Sequence, residues 1–151
     1  MNSENPNNEL IHCIYASAGT TEYSENDLIE LLKVSRRNNK ARNISGMLLY
    51  HKMSFFQVLE GEREIVENLY DKIKEDKRHD MVLKLIVEPI ENRSFENWTM
   101  GHARVRSRDL RKIPGLNDCV IRRGFFGELP EGRARELLRA FKKGKWHQTI
   151  E

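Results

Sequence analysis

Two side chains stand where their chemistry is out of place. Gln57 interrupts the apolar run Phe55-Phe56-Gln57-Val58-Leu59, and Tyr15 lies near the end of Leu10 to Ala16 (LIHCIYA). A carboxamide buried without partners costs about 1–3 kcal/mol, so Gln57 in a strand needs something to bond. Its amide carries two donors and two acceptor lone pairs, and rotating it exchanges them without moving the backbone. A buried phenol likewise needs a partner for its O–H. Asn38 and Asn39 offer two more amides. Taken singly, each has an ordinary reading: an edge glutamine, a core tyrosine, an Asn-Asn helix end. Taken together, these neutral groups suit a planar heterocycle with alternating C=O, N–H and ring-nitrogen positions. A flavin fits, as do other heterocycles, so the residues alone indicate a ligand-binding domain.

Equipment for other chemistry is missing. The sequence contains no Walker-type phosphate loop, no Gly-x-Ser-x-Gly elbow and no His-Glu-x-x-His metal helix. His12, His51, His79, His102 and His147 are scattered, never at metal-ligand spacing. Cys13 and Cys119 suggest neither a disulfide framework nor a metal motif. An acylphosphatase-like enzyme would want an arginine in the loop after the first strand, and Ser17-Ala18-Gly19-Thr20-Thr21 has none.

The elements that must position Tyr15 and Gln57 follow from periodicity. Leu10 to Ala16 has strand length, ends in a Ser17-Ala18-Gly19 turn, and by alternation puts Ile11, Cys13 and Tyr15 on one face. Ser24 is the expected N-cap of a helix carrying Leu28, Leu31, Leu32 and Ser35 at helical spacing, closed by Asn38-Asn39. Ile44 to His51 and Ser54 to Glu60 form a hairpin. A second helix spans Glu62 to Glu75 with the stripe Ile65, Val66, Leu69, Ile73. Asp76 to His79 is a polar corner, Met81 to Val87 a fourth strand stopped by Pro89, and Trp98 to Val105 a fifth. The order β-α-β-β-α-β-β gives an α+β fold, a ferredoxin-like sandwich with both helices on one face of a mixed sheet. Pro130 opens a last helix whose narrow stripe, Leu137, Leu138 and Phe141, suits the sheet's open face or a second subunit.

A chain of 151 residues with 38% hydrophobic and 32% charged residues is one ordinary globular domain. No apolar run approaches the roughly 20 residues needed to cross a bilayer, and the Asn-rich N-terminus is no secretory signal, so the cytoplasm is expected. The net charge of +3 divides unevenly: thirteen Lys/Arg against seventeen Asp/Glu in residues 1–100, then thirteen against six. The basic C-terminal third reads as a solvated helical face or a surface for an acidic partner. Nucleic acid is the least expected partner, because Arg104, Arg106, Arg108, Arg111 and Lys112 lack interleaved aromatics.

Six pieces in order resemble the BLUF family, sensors of blue light using FAD. They are Ile14-Tyr15-Ala16-Ser17, Ser35-Arg36-Arg37-Asn38-Asn39, Asn43 to Tyr50 (NISGMLLY), Phe56 to Gly61 (FQVLEG), Asp76-Lys77-Arg78-His79 and Phe95 to Met100 (FENWTM). The resemblance covers roughly 90 residues from Ile11 to about Met100 and implies FAD bound between the two helices, with FMN or riboflavin as chemical alternatives. By resemblance, Tyr15 is the photoactive tyrosine that gives an electron and then a proton to the excited flavin. Gln57 lies between that phenol and the flavin N5 and C4 carbonyl. Asn39 bonds the C4 and N3 side, and Asn38 also faces the ring. Ser35 lies near the tyrosine, Arg78 and His79 at the far end of the ring and the cofactor's tail, and Lys72 and Asp76 near that tail. Trp98 and Met100 match the pair thought to exchange between buried and exposed positions. Ser45 stands where threonine is common, a change that leaves the strand intact.

The resemblance implies a photoreceptor rather than an enzyme. The expected organisation is an arm over residues 1–9, the flavin-binding domain over 10–105 and a basic helical extension over 106–151 on the sheet face opposite the flavin. With no effector module following in this sequence, output is expected to pass through Trp98 and Met100 to the extension. From there it would reach a separate signalling protein or a homo-oligomer.

Overall fold

The structure is a computed structural model and describes residues 8–19, 23–51, 53–76, 79–96, 101–104, 134–135 and 138–139. In chain order the elements are β1 (Leu10–Gly19), α1 (Glu25–Ala41), β2 (Ser45–His51), β3 (Ser54–Glu62), α2 (Arg63–Glu75), β4 (His79–Pro89) and β5 (Gly101–Arg104). They form one sheet in the order β4-β1-β3-β2-β5. The first four strands pair antiparallel, and β5 adds to β2 in parallel. This is the expected ferredoxin-like α+β layout on a mixed sheet.

Alternation sorts the strands into two faces. Ile11, Cys13 and Tyr15 of β1, Leu48 and Tyr50 of β2, and Phe55 and Leu59 of β3 point to one side. There they pack against Leu28 and Leu32 of α1 and Val66, Leu69 and Tyr70 of α2. Both helices therefore cover a single face. The intervening residues Ile14, Ala16, Met47, Leu49, Phe56 and Val58 are buried on the other. The helical pair Ala134–Arg135 stands on that second side: Ala134 is buried, and the Arg135 guanidinium grips both carboxylate oxygens of Glu88 at 2.8 and 2.9 Å. Apart from the helical residues 138–139, the rest of the expected extension and residues 1–7 lie outside the described residues.

Several boundaries differ from the sequence expectation, each for a local reason. β1 does not turn at Ser17; as a central strand paired on both sides, it runs to Gly19 with Ser17 opposite Phe55 and Ala18 opposite Ser54. α1 begins as expected, Ser24 and Asp27 forming a reciprocal capping box. It does not close at Asn38-Asn39. The helix continues to Ala41, and the residue that ends it is Asn43, in the left-handed region at φ 55°. The Ile44 N–H reaches back to the Asn39 carbonyl at 2.9 Å and the Asn43 N–H to Lys40 at 3.3 Å, the paired bonds of a Schellman motif. β4 is longer than expected at both ends: His79, assigned to a polar corner, opens it, and Pro89 closes it. β5 is confined to Gly101–Arg104; Trp98 and Met100 lie outside the described residues.

A buried carboxylate fixes the chain after β4. Glu60 is fully buried and accepts bonds from the Ser45 hydroxyl at 2.9 Å and the Ser94 and Phe95 N–H groups at 2.6 and 2.9 Å. Arg93 adds bonds to the Ser45 hydroxyl oxygen and to the Glu60 and Asn43 carbonyls. A charge taken from water needs such a shell of donors. Among the described residues no helix is long and apolar enough to cross a membrane.

Candidate functional site

The two helices stand apart over the sheet and leave an open cleft between them. Its floor is the helix-facing side of the central strands: Tyr15 of β1, Leu48 of β2, and Phe55 and Gln57 of β3. One wall is α1, with Leu31, Val34, Ser35, Asn38 and Asn39, continued by Arg42 just past its end. The other is α2, with Leu69, Lys72 and Ile73, followed by Asp76. Seven sequence-chosen residues thus share one cleft: Tyr15, Ser35, Asn38, Asn39, Gln57, Lys72 and Asp76. Arg78 lies outside the described residues, and for His79 only its backbone place at the head of β4 is described.

Tyr15 and Gln57 are direct cross-strand partners in the β1–β3 ladder, which brings their side chains together on one face. The Tyr15 hydroxyl donates to Gln57 Oε1. Burial, with smaller contributions from Cys13 and Tyr70, holds the Tyr15 phenol well above its ordinary pKa, so it keeps its proton at neutral pH. With Oε1 turned to the phenol, Gln57 directs its two amide donors elsewhere, and a half-turn of the amide would reverse both roles. Asn39 is almost fully buried on α1, its backbone tied into the helix-ending motif, while Asn38 one residue earlier is half-buried.

Behind this pair lies a second layer. Tyr70 of α2 packs edge to face on Tyr15, ring centroids 5.4 Å apart and planes at 74°, and the Lys84 ammonium lies 4.7 Å from the Tyr70 ring centre. Cys13, the free cysteine of the described residues, is buried beside them, and burial pushes its thiol up to about 12 although the Lys84 charge pulls it down. Among the described residues no group of three or more His, Cys, Asp or Glu is placed to hold a metal.

Sequence reasoning missed Arg42, the apolar lining and the Tyr70–Lys84 layer. Arg42 carried a usable signal, a basic residue next to a helix end; Lys84 carried none, for its face is set by strand register.

The set suits a flat aromatic ring carrying carbonyl and imide groups. Apolar side chains from both helices offer ring contacts, and neutral amides with a protonated phenol offer edge contacts. Comparison with known proteins agrees. The family described as "Sensors of blue-light using FAD" (BLUF) matches residues 10–101. Photoactivated adenylate cyclase subunit beta of Euglena longa is 35% identical over 107 residues, covering 70% of this chain and 12% of that protein. Subunit alpha of Euglena gracilis is 37% identical over 87 residues, covering 58% of this chain and 8% of its own length. The chain thus spans only a small part of these curated relatives. Among solved structures, BlrB, a BLUF protein in its dark state, superposes with a TM-score of 0.73 at 28% identity, covering 91% of this chain and 98% of that one. BlsA in its photo-activated state gives a TM-score of 0.78 at 28% identity, covering 94% and 99%. On its fold, its cleft and this match, the chain belongs to the BLUF family of blue-light sensors using FAD.

Proposed function

We propose that this chain is a blue-light photoreceptor in which the Tyr15–Gln57 pair is the switch and light-driven rebonding of that pair is the signal. The observation that carries this reading is the hydrogen bond from the Tyr15 hydroxyl to Gln57 Oε1 on the floor of the cleft between the two helices. When bound, FAD supplies the light absorption and a strong, short-lived oxidising power. The chain's own residues do the rest. Tyr15 would supply one electron and its phenolic proton to a bound flavin and would take both back in the reverse step. While the phenol is without its proton it no longer donates to Gln57, and the amide is free to rotate and present its other end. The rotated amide outlasts the electron transfer because it needs no charge to persist.

In the same reading, Asn39 and Asn38 hold the ring's carbonyl and imide edge, with Ser35 close to Tyr15. Lys72, Asp76, Arg78 and His79 serve the far end of the ring and the cofactor's tail, and Arg42 joins them at the cleft mouth. Residues 1–9 form an arm and residues 10–105 the sensor. Trp98 and Met100 relay the altered bonding to the basic region 106–151, and from there to a separate protein or a second copy. That Arg135 already touches Glu88 of β4 supports a C-terminal segment in contact with the sheet. Relatives named as photoactivated adenylate cyclase subunits share this region, which supports a light-regulated output.

The direct test is the absorption spectrum of the FAD-loaded chain before and after blue illumination. The unaltered chain should show a reversible shift of the flavin band to longer wavelength. Tyr15→Phe should retain FAD and lose the shift. A normal shift in Tyr15→Phe would remove the phenol from the mechanism.

A further inference from the structure

The β1–β4 ladder contains an irregularity next to Tyr15: Ile14 pairs with Ile86, but Tyr15 pairs with Lys84, leaving Leu85 as an extra residue. Its effect on side-chain direction is specific. Ile86 and Glu88 face the second side of the sheet, opposite Ile14 and His12. Simple alternation would place Lys84 there too. The bulge instead turns Lys84 to the helix side, beside Tyr15, where its ammonium lies 4.7 Å from the centre of the Tyr70 ring. Tyr70 in turn packs edge to face on Tyr15. Neither Lys84 nor Tyr70 lines the cleft, so the pair meets Tyr15 through the Tyr70 ring.

We propose that Lys84, seated on Tyr70, is a tuning group that sets how readily Tyr15 gives up its electron. This rests on the reading above that Tyr15 is the donor. A positive charge next to the Tyr15–Tyr70 ring pair opposes removal of an electron from the phenol, so the balance of the step shifts toward retention. Tyr70 serves as the seat: its ring face holds the ammonium, and its contact with Tyr15 fixes the distance over which the charge acts. The step itself is unchanged: one electron and one proton leave Tyr15 for the flavin ring and later return.

The flavin fluorescence lifetime of the FAD-loaded chain reads the step directly, because electron donation quenches emission. Lys84→Met should shorten the lifetime, because the charge that opposes electron donation is gone. Lys84→Arg should restore the unaltered value, Tyr70→Phe should leave it in place, and Tyr70→Leu should mimic Lys84→Met. Proton NMR of the dark, FAD-loaded chain gives an independent readout: the Lys84 ε-methylene signal should be shifted upfield by the Tyr70 ring and should move back in Tyr70→Leu. An unshifted methylene, or a Lys84→Met lifetime equal to that of the unaltered chain, would overturn the proposal. Tyr15→Phe separates the two failures. If it lengthens the lifetime while Lys84→Met changes nothing, the tuning role alone is lost; if it leaves the lifetime unchanged, Tyr15 is not the donor and both readings fall.

Discussion

At the scale of residues, the polar groups of the cleft floor and of the α1 helix wall are neutral, and their value lies in what they are not. An ionised side chain on the cleft floor would fix one bonding pattern electrostatically; an amide and a protonated phenol can exchange roles at little cost. Burial keeps the Tyr15 proton in place in the dark. Asn39 differs in being buried, with its backbone carbonyl held by the Ile44 N–H, and in the proposed reading its side-chain amide bonds the cofactor. Asn39→Ala should therefore weaken FAD retention by about 1 kcal/mol, the worth of one such bond, or roughly a fivefold rise in dissociation constant. Fluorescence titration with FAD checks this, and an unchanged constant would place Asn39 outside the binding set. Asn38 and Asn39 stood at an expected helix end and were assigned by resemblance, whereas Tyr15 and Gln57 were legible in the sequence because their polar groups stood inside apolar runs. Glu60 was not, although it is the most deeply buried carboxylate described: it sits at what reads as a strand's polar end, and its partners Arg93, Ser94 and Phe95 are more than thirty residues away.

At the scale of elements, the periodicities were sufficient to order the strands and helices, since period-2 and period-3.6 patterns are local. What escaped was set by contacts between elements. The extension of β1 to Gly19 depends on neighbours pairing on both sides, and the end of α1 depends on the left-handed residue falling at Asn43 rather than at either of the earlier asparagines. The bulge in β4 is invisible to alternation. Yet it decides which face receives Lys84 and where Glu88 meets His12 and Arg135. Glu88 yields a pH-dependent consequence. Arg135 first, then His12, lower its carboxyl from the ordinary 4.5 to about 2. A depressed acid stabilises the fold above the unfolded-state pKa, and that contribution is lost as pH falls toward the folded value. Thermal melts should therefore show a loss of stability between about pH 4.5 and pH 2 that is smaller in Glu88→Gln; equal losses in the two proteins would show that this contact does not couple to folding.

At the scale of the whole molecule, the sheet separates two kinds of surface. One face carries both helices, the cleft and the Tyr15–Gln57 pair. The other meets Arg135 through Glu88 and holds the Arg93–Phe95 turn through Glu60. β3 joins them, buried on both sides, with Gln57 facing the cleft and Glu60 three residues on facing the opposite side. A change in Gln57 bonding therefore begins on the strand whose far side anchors the chain leading toward Trp98 and Met100. The family and its fold were readable from six short pieces of sequence; the link between the two faces was not, because strand register and the buried Glu60 carboxylate set it rather than any motif.

The most direct measurement is light-minus-dark infrared difference spectroscopy of the FAD-loaded chain with isotopically labelled glutamine side chains. The sequence holds only two glutamines, Gln57 and Gln148, and Gln57→Leu assigns the signal. A switch at Gln57 predicts label-sensitive amide bands that appear on illumination, decay with the flavin's red shift and vanish in Gln57→Leu. A full red shift with no label-sensitive band would contradict it.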